Sequence, residues 1–500
     1  MTLPHYGHVK SVFRTLSLED SLIHIWAMSM HISRGIPLPY GYEDVAGRGS
    51  RDLKSYLFPH QLDLMLRETV LHAGYGAVSR SLLRWDDLAD AVNCINNYGN
   101  SVFDEGESDA LMLTMHRCAH QQFNISNPLD KQKIGRYLAL YRFEPLAKIF
   151  ERRLGIGVDE YFILAFGVLA GFLSRPRLNA STDFSVLGSS RSASSAFFSR
   201  LIGSYPTLRS SLIASQNLGS CWEYTRNAIH FRPLINVDVR NPDRVYCPMP
   251  ALLEQRLYAG VFYDIVEDTE EFSKAYGSGF EDLVGRVLKC APEQLAVVKP
   301  PVYFLGKRRM DGVDWLVSDE GSHLFIECKT KRITAAAKTA ETTAAIASQV
   351  DVLAKAIFQN YKNIGDALDG AWELEHQGKN IYSLVVTLED WHLFSPIATD
   401  TLRLLVADRL VSAGLPDTLL QQVPYLICSI EELECLIAVL QSHTIDEVLA
   451  GLFADEFRGW TLGTYLNRAF PEGTRRKRVE FYTDFEEVVN KVVGKFREAT

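Results

Sequence analysis

The sequence lacks most of the short patterns that announce a mechanism. Its eight cysteines contain no CxxC pair, which sets aside zinc ribbons and thioredoxin-type exchange. There is no GxxxxGK[ST] loop to cradle a nucleotide, and no GxSxG elbow despite many serines and thirteen histidines. No internal repeat recurs at a fixed period. The longest apolar run, Tyr161 to Leu173, is shorter than the ~20 residues a bilayer core demands. Asp159, Glu160 and Arg175 flank it closely, so a buried core helix is expected and no membrane span. The segment Met1 to Lys10 has no apolar h-region, and no signal peptide is expected. There is no excess of basic residues either. A net charge of -9 argues against a coat-like nucleic-acid binder, but it leaves room for a local basic groove.

What is present is ordinary globular composition with a strong internal change of texture. The length predicts two to four domains. Several cysteines sit in apolar runs, as Cys428 does in Pro424-Tyr425-Leu426-Ile427-Cys428, and they read as buried thiols in a reducing cytoplasm. Residues 1–180 read as a helical N-terminal domain, with amphipathic stretches at Leu18 to Ile32, Gln61 to Ala73, Ser81 to Ile95 and Asp109 to Gln122. Polar or Gly/Pro segments at 37–49 and 124–128 break them. Residues 181–272 read as a mixed linker or second lobe that opens on a Ser-rich, exposed loop around 187–195. Strand-like stretches lie in 229–239, and a helical one spans 251–266. Residues 273–436 hold the informative part, and 437–500 read as a helical C-terminal segment carrying the basic cluster Arg475-Arg476-Lys477-Arg478.

Within 273–436 the expected order is a helix at Phe280 to Leu288, then strands at Val302 to Leu305, Val313 to Ser318 and Leu324 to Thr330. The last two are joined by the tight polar turn Asp319-Glu320-Gly321-Ser322. An Ala-rich helix at Thr334 to Tyr361 follows, then a strand at Ile381 to Leu388 and another at Pro424 to Cys428. Ser429 and Glu432 form a capping box that opens the next helix.

One constellation carries chemistry. In Phe325-Ile326-Glu327-Cys328-Lys329, strand alternation puts Glu327 and Lys329 on one face and Leu324, Ile326 and Cys328 on the other, toward a core. The turn folds the preceding strand, which begins at Gly312-Val313-Asp314, back alongside, so Asp314 comes to lie beside Glu327. Two carboxylates and an amine at one point suit Mg²⁺, a hard ion that takes one or two carboxylates plus water and substrate phosphate. Mn²⁺ is an expected substitute. Asp314 and Glu327 are the expected metal ligands, and the backbone carbonyl of Cys328 offers a third oxygen. Lys329 is placed to hold the attacking water and to stabilise charge on the phosphoryl group. Basic residues on both sides, Lys307-Arg308-Arg309 and Lys331-Arg332, are candidate phosphate contacts. The competing expectation is a solvated hairpin whose charges lie on a wet face. The apolar strand around Glu327 and Lys329 favours the chemical one. His116, Cys118 and His120 form an HxCxH run whose histidines share a helix face, but no fourth ligand is near, so a structural zinc is not expected.

These residues resemble the PD-(D/E)XK, or restriction-endonuclease-like, nuclease superfamily over roughly 150 residues. The likeness is closest to its methyl-directed-restriction and Holliday-resolvase-like branches, where a Gly-Val-Asp entry and a Glu-Cys-Lys core are common. The resemblance implies an α/β fold with an α-β-β-β-α-β mixed-sheet core, here joined to a large, mainly α-helical N-terminal region. It implies that Asp314, Glu327 and Lys329 are catalytic, and that Glu281 is the acid contributed by the first helix. It further implies that Gln349, in the helix after the Glu327 strand, contacts substrate or site. Val313 stands where the family's leading proline would be.

The expected function is thus a Mg²⁺-dependent endonuclease acting on DNA or RNA. By analogy of architecture alone it resembles a stand-alone bacterial antiviral defence effector, held silent by its N-terminal region until a phage-derived trigger protein binds. Many members of the superfamily cut as homodimers. Two alternatives compete: an RNA-specific, tRNA-cleaving, growth-arresting ribonuclease, and a nucleic-acid-binding or interaction scaffold with a silent nuclease fold. An intact Asp314, Glu327 and Lys329 set speaks against the scaffold.

Overall fold

The structure is a computed structural model that describes residues 5–38, 52–75, 78–103, 110–122, 130–339, 343–393, 396–416, 418–457, 459–475 and 481–499. The chain forms two compact units. One comprises Met1–Leu111, Arg117–Glu267 and Phe481–Thr500, the other Met112–His116 and Asp268–Glu480. This is fewer than the four segments expected from the sequence, and the reasons are local. Strand Arg177–Asn179 pairs with Arg244–Tyr246, which ties residues either side of position 180 into one four-stranded sheet. The last helix, Tyr482–Ala499, belongs to the first unit, where Arg142 pairs with Glu487 at 2.9 Å and Lys491 with Asp159 at 3.1 Å. Residues 437–500 are therefore not one segment.

The first unit is mainly helical, as expected. The expected amphipathic stretches appear as helices Leu18–Arg34, Pro59–His72 and Trp85–Val102, and as Ala110–Gln122, of which Met112–His116 is counted with the second unit. The breaks expected at 39–49 and 124–128 lie outside the described residues. The apolar run becomes helix Val158–Ser174, which buries Phe162, Leu164, Val168 and Phe172 within the unit. Together with Glu144–Leu154 it forms a bent apolar pair, but no single described helix is long and apolar enough to cross a membrane. The Ser-rich segment is not one exposed loop. Ser190 caps helix Arg191–Leu201 by accepting from the Ala193 amide at 3.1 Å, and Ser189 and Ser194 are buried. Serine favours this role because its short hydroxyl satisfies a first-turn amide.

The second unit is mixed α/β, and its elements are numbered from here. Helix α1 (Glu270–Leu288) is capped by Thr269, which accepts from the Phe272 amide at 3.1 Å. It starts earlier than the expected Phe280 and carries Gly277 and Gly279 within it. Burial of Phe272, Ala275 and Tyr276 outweighs the ~1 kcal/mol that each mid-helix glycine costs. The strands are β1 (Ala296–Val298), β2 (Tyr303–Leu305), β3 (Arg308–Met310), β4 (Trp315–Ser318) and β5 (Ser322–Lys329). Then come helices α2 (Ala335–Lys338) and α3 (Thr343–Leu368), strand β6 (Asn380–Thr387), helices α4 (Pro396–Ser412) and α5 (Leu419–Gln422), and strand β7 (Tyr425–Ser429).

The main sheet runs β7-β6-β5-β4-β1. β1, β4 and β5 are antiparallel neighbours, and β5, β6 and β7 run parallel. The expected turn between β4 and β5 is present: the Asp319 amide donates to the Ser322 carbonyl at 3.1 Å, and Asp319 Oδ1 accepts from the Gly321 amide at 3.0 Å. The expected capping box is also present, with Ser429 and Glu432 bonding reciprocally at the start of helix α6 (Ile430–Val439). Two expectations needed correction. Tyr303–Leu305 is outside the main sheet and pairs only with β3 in a separate hairpin. The edge place belongs to β1, whose three residues alternate exposed and half-buried and leave little hydrophobic signal. The single helix expected over Thr334 to Tyr361 is two helices, and the second continues to Leu368.

Both faces of β5 are covered, and this decides the electrostatics of the site. Phe325 lies two residues before Glu327 and so on its face. It is fully buried in one core with Leu316, Val385 and the α3 residues Leu353, Ile357 and Tyr361. On the other side of the sheet α1 approaches so closely that a Cβ on Gly285 would stand 2.4 Å from the Trp315 ring. Gly285→Ala is therefore expected to destabilise the protein by about 1–3 kcal/mol through overpacking against a rigid ring. Urea unfolding at neutral pH measures this, and an unchanged midpoint would refute the close packing of α1 on Trp315.

Candidate active site

In the β4–β5 ladder Trp315 stands opposite Ile326 and Leu316 opposite Phe325. Continued by one residue, this register puts Asp314 opposite Glu327. Asp314 is held there: its Oδ2 accepts from the Cys328 amide at 2.7 Å. Lys329, half-buried at the end of β5, donates from Nζ to Glu327 Oε1 at 2.5 Å. The second Glu327 oxygen, Oε2, is buried and has no hydrogen-bond partner among the described residues.

Burial pushes the Glu327 carboxyl up to about 7; the charge of Asp314 adds to this, Lys329 opposes it, and Glu281 adds a smaller push. Asp314 is also raised, first by burial; the Cys328 amide opposes, Glu281 raises it further, and Lys329 and Lys299 oppose. Three carboxylates and two amines therefore act on one another around the buried Glu327 carboxyl, with Lys299 at the solvated edge. Cys328 is not a nucleophile, because burial and the neighbouring carboxylates drive its thiol pKa well above the usual range.

Glu281, on α1, is anchored twice. Its carboxylate pairs with Lys299, and its backbone carbonyl accepts from Trp315 Nε1 at 3.2 Å. Lys299 follows β1 directly and lies 5.5 Å from the centre of the Trp315 ring. Sequence reasoning did not find Lys299, since no spacing rule links an edge-strand lysine to the first helix. The only signal was its place just before Pro300-Pro301.

The donor set fits a hard divalent cation. Two facing carboxylates, one with an orphaned buried oxygen, lack the positive charge that would make their joint ionisation favourable. Among the described residues no three His, Cys, Asp or Glu side chains cluster tightly enough to enclose an ion. An ion here would thus rest on Asp314 and Glu327 and complete its shell with water, substrate oxygen and the Cys328 carbonyl, as Mg²⁺ commonly does.

The outer candidates divide. Gln349 Oε1 accepts from the Thr334 amide at 3.3 Å, which ties α3 to the chain leaving β5. Lys307, Arg308, Arg309 and Lys331 are exposed. Arg332 is not a free phosphate contact: it is buried, 3.3 Å from Glu389 and 3.4 Å from the Tyr276 hydroxyl. Lys355 pairs with Asp351 on a solvated helix face. His116 Nε2 lies 2.9 Å from the Ala337 carbonyl, an arrangement that needs its proton and leaves that nitrogen unsuited to a metal. Arg475 pairs with Glu472, while 476–478 lie outside the described residues.

Compared with known proteins, the chain matches no protein-family profile, no curated protein and no solved structure.

Proposed function

We propose that the chain is a metal-dependent nuclease of the PD-(D/E)XK type that hydrolyses phosphodiester bonds at Asp314, Glu327 and Lys329. The observation that carries this is the register-opposed pair Asp314 and Glu327, with Lys329 Nζ on one Glu327 oxygen and the other oxygen buried and unpartnered. The order α1, three antiparallel strands β1, β4 and β5, helix α3 and then the parallel strand β6 supports the same assignment.

A bound divalent cation supplies Lewis-acid neutralisation of the phosphoryl group. The chain's own residues do the rest. The Cys328 amide fixes the Asp314 carboxylate in one orientation. Phe325 and the α3 core exclude water behind Glu327 and strengthen every charge interaction in the site. Lys329 holds a hydrogen-bond donor beside the carboxylates, where it orients a water for in-line attack and offsets charge developing on the phosphate. Glu281, held by Lys299, adds a third carboxylate that biases where the proton of that water goes.

The test is incubation of the purified protein with plasmid DNA, single-stranded DNA and total RNA, each with Mg²⁺, with Mn²⁺ or with EDTA. Cutting of at least one substrate that requires the metal is the expected result. Cutting that persists in EDTA, or none under any condition, would defeat the proposal.

A further inference from the structure

The hairpin of β2 and β3 has no role in the site just described, yet it is built to face outward. Its register pairs Tyr303 with Met310, Phe304 with Arg309 and Leu305 with Arg308. Tyr303 and Met310 are buried, and the Tyr303 hydroxyl donates to Asp366 at 2.5 Å and Asn363 at 3.2 Å on α3. That face clamps the hairpin to the unit. The opposite face presents Phe304, 62% exposed, beside Arg309, 68% exposed at its side chain. Lys307 in the turn and Arg308, on the Tyr303 side of the hairpin, complete a run of three exposed cations; neither has an acidic partner among the described residues, whereas Arg309 lies 3.4 Å from the equally exposed Asp311. In a chain of net charge -9 this is a local exception, and it is complementary to a polyanion.

We propose that this hairpin binds a single strand of nucleic acid, with an unpaired base stacked on Phe304 and the flanking phosphates held by Lys307 and Arg309, and so feeds the strand to Asp314 and Glu327. The feeding step rests on the nuclease assignment; the binding step does not. An exposed apolar ring among cations is the composition of a stacking platform, which is sequence-tolerant because every base has a π-face. A duplex keeps those faces stacked inside, out of reach of a ring on the hairpin surface. The distance is suitable. Asp314 lies five positions after Arg309, a span of at most ~18 Å when extended. The link packs closely on the chain after β1, since a Cβ on Gly312 would stand 3.2 Å from the Pro300 side chain.

The experiment measures binding in EDTA, so that cleavage plays no part. Single-stranded DNA and RNA oligonucleotides carrying 2-aminopurine, and the matching duplexes, are titrated with the parent, Phe304→Ala, Phe304→Trp and Lys307→Ala. The expected result is roughly 5- to 100-fold weaker single-strand binding and loss of 2-aminopurine quenching in Phe304→Ala, with duplex affinity unchanged and Phe304→Trp like the parent. Lys307→Ala should lower the salt slope by about one. Single-strand binding that is absent in the parent, or unchanged in Phe304→Ala, overturns the proposal. So does unchanged oligonucleotide binding with Phe304→Ala losing a co-purifying protein, which would assign the hairpin to a protein partner. A parent that quenches the base but never cuts keeps the hairpin assignment and defeats the nuclease one. A parent that cuts, with Phe304→Ala binding normally, does the reverse.

Discussion

Lys329→Ala is expected to slow metal-dependent cleavage by at least about 10²- to 10³-fold, the range seen when one preorganised charge-stabilising donor is removed. Asp314→Ala should cost at least as much, because it removes one of only two facing carboxylates that can hold the ion. Both effects belong to the chemical step, so single-turnover rates at saturating substrate carry the comparison. Asp314 lies just before β4 and Lys329 ends β5, so each truncation leaves the sheet core intact. Thermal melting checks this. Lys355→Ala is the matched control. It removes a lysine from a solvated face of α3 where it pairs with Asp351, and its cleavage rate should equal the parent's. If Lys329→Ala cuts as fast as the parent, the site is wrongly assigned.

The second large effect concerns the metal-free protein. Glu327 rises from the ordinary 4.5 to about 7 in the folded state, chiefly through burial and the charge of Asp314. A carboxyl raised on folding favours the folded state fully below the unfolded value, and that contribution is lost as pH rises through the folded value. Between about pH 4.5 and 7 the loss amounts to roughly 3 kcal/mol, at ~1.4 kcal/mol per pH unit. Glu327→Gln keeps the shape of the protonated acid and removes its titration. In EDTA it should match the parent near pH 4.5 and exceed it by several degrees in Tm at pH 8. Glu432, half-buried and also raised to about 7, titrates in the same window, so the difference between parent and Glu327→Gln is the quantity to read, rather than the parent's curve alone. Added Mg²⁺ should raise the parent's Tm more at pH 8 than at pH 5 and the variant's less, since the ion binds the ionised pair. Equal Tm for both proteins at pH 8 in EDTA would show that Glu327 is not held in a dry, acid-rich space.

Much of the site was legible because two strict local rules applied at once. Strand alternation put Glu327 and Lys329 together, and a turn closed by Asp319 and Ser322 set the register that brings Asp314 opposite Glu327. The parallel strands β6 and β7 and the Ser429–Glu432 cap were legible for the same reason, as continuous apolar runs ended by a capping residue. What escaped depends on packing at long range. β1 is three residues at a sheet edge, and its identity comes from pairing with β4 rather than from its own pattern. That β5 is buried on both faces, and that Glu327 is therefore raised, follows from α1 and α3 arriving on opposite sides, a fact of topology. Arg332 looked like one more cation after the strand until Glu389, beyond β6, came to meet it. The Ser-rich segment misled because serine serves loops and helix caps equally well, and the buried neighbours of Ser189 and Ser194 lie outside the local window.

The central claim is a cation held between Asp314 and Glu327. Crystals of the protein soaked in Mn²⁺, with data collected at the manganese absorption edge, test it most directly. The account predicts an anomalous peak within Mn–O bonding distance, about 2–2.3 Å, of oxygens from both carboxylates, present in the parent and absent from Asp314→Ala. A soaked crystal with no peak between these two residues, or with an equal peak in Asp314→Ala, would contradict it.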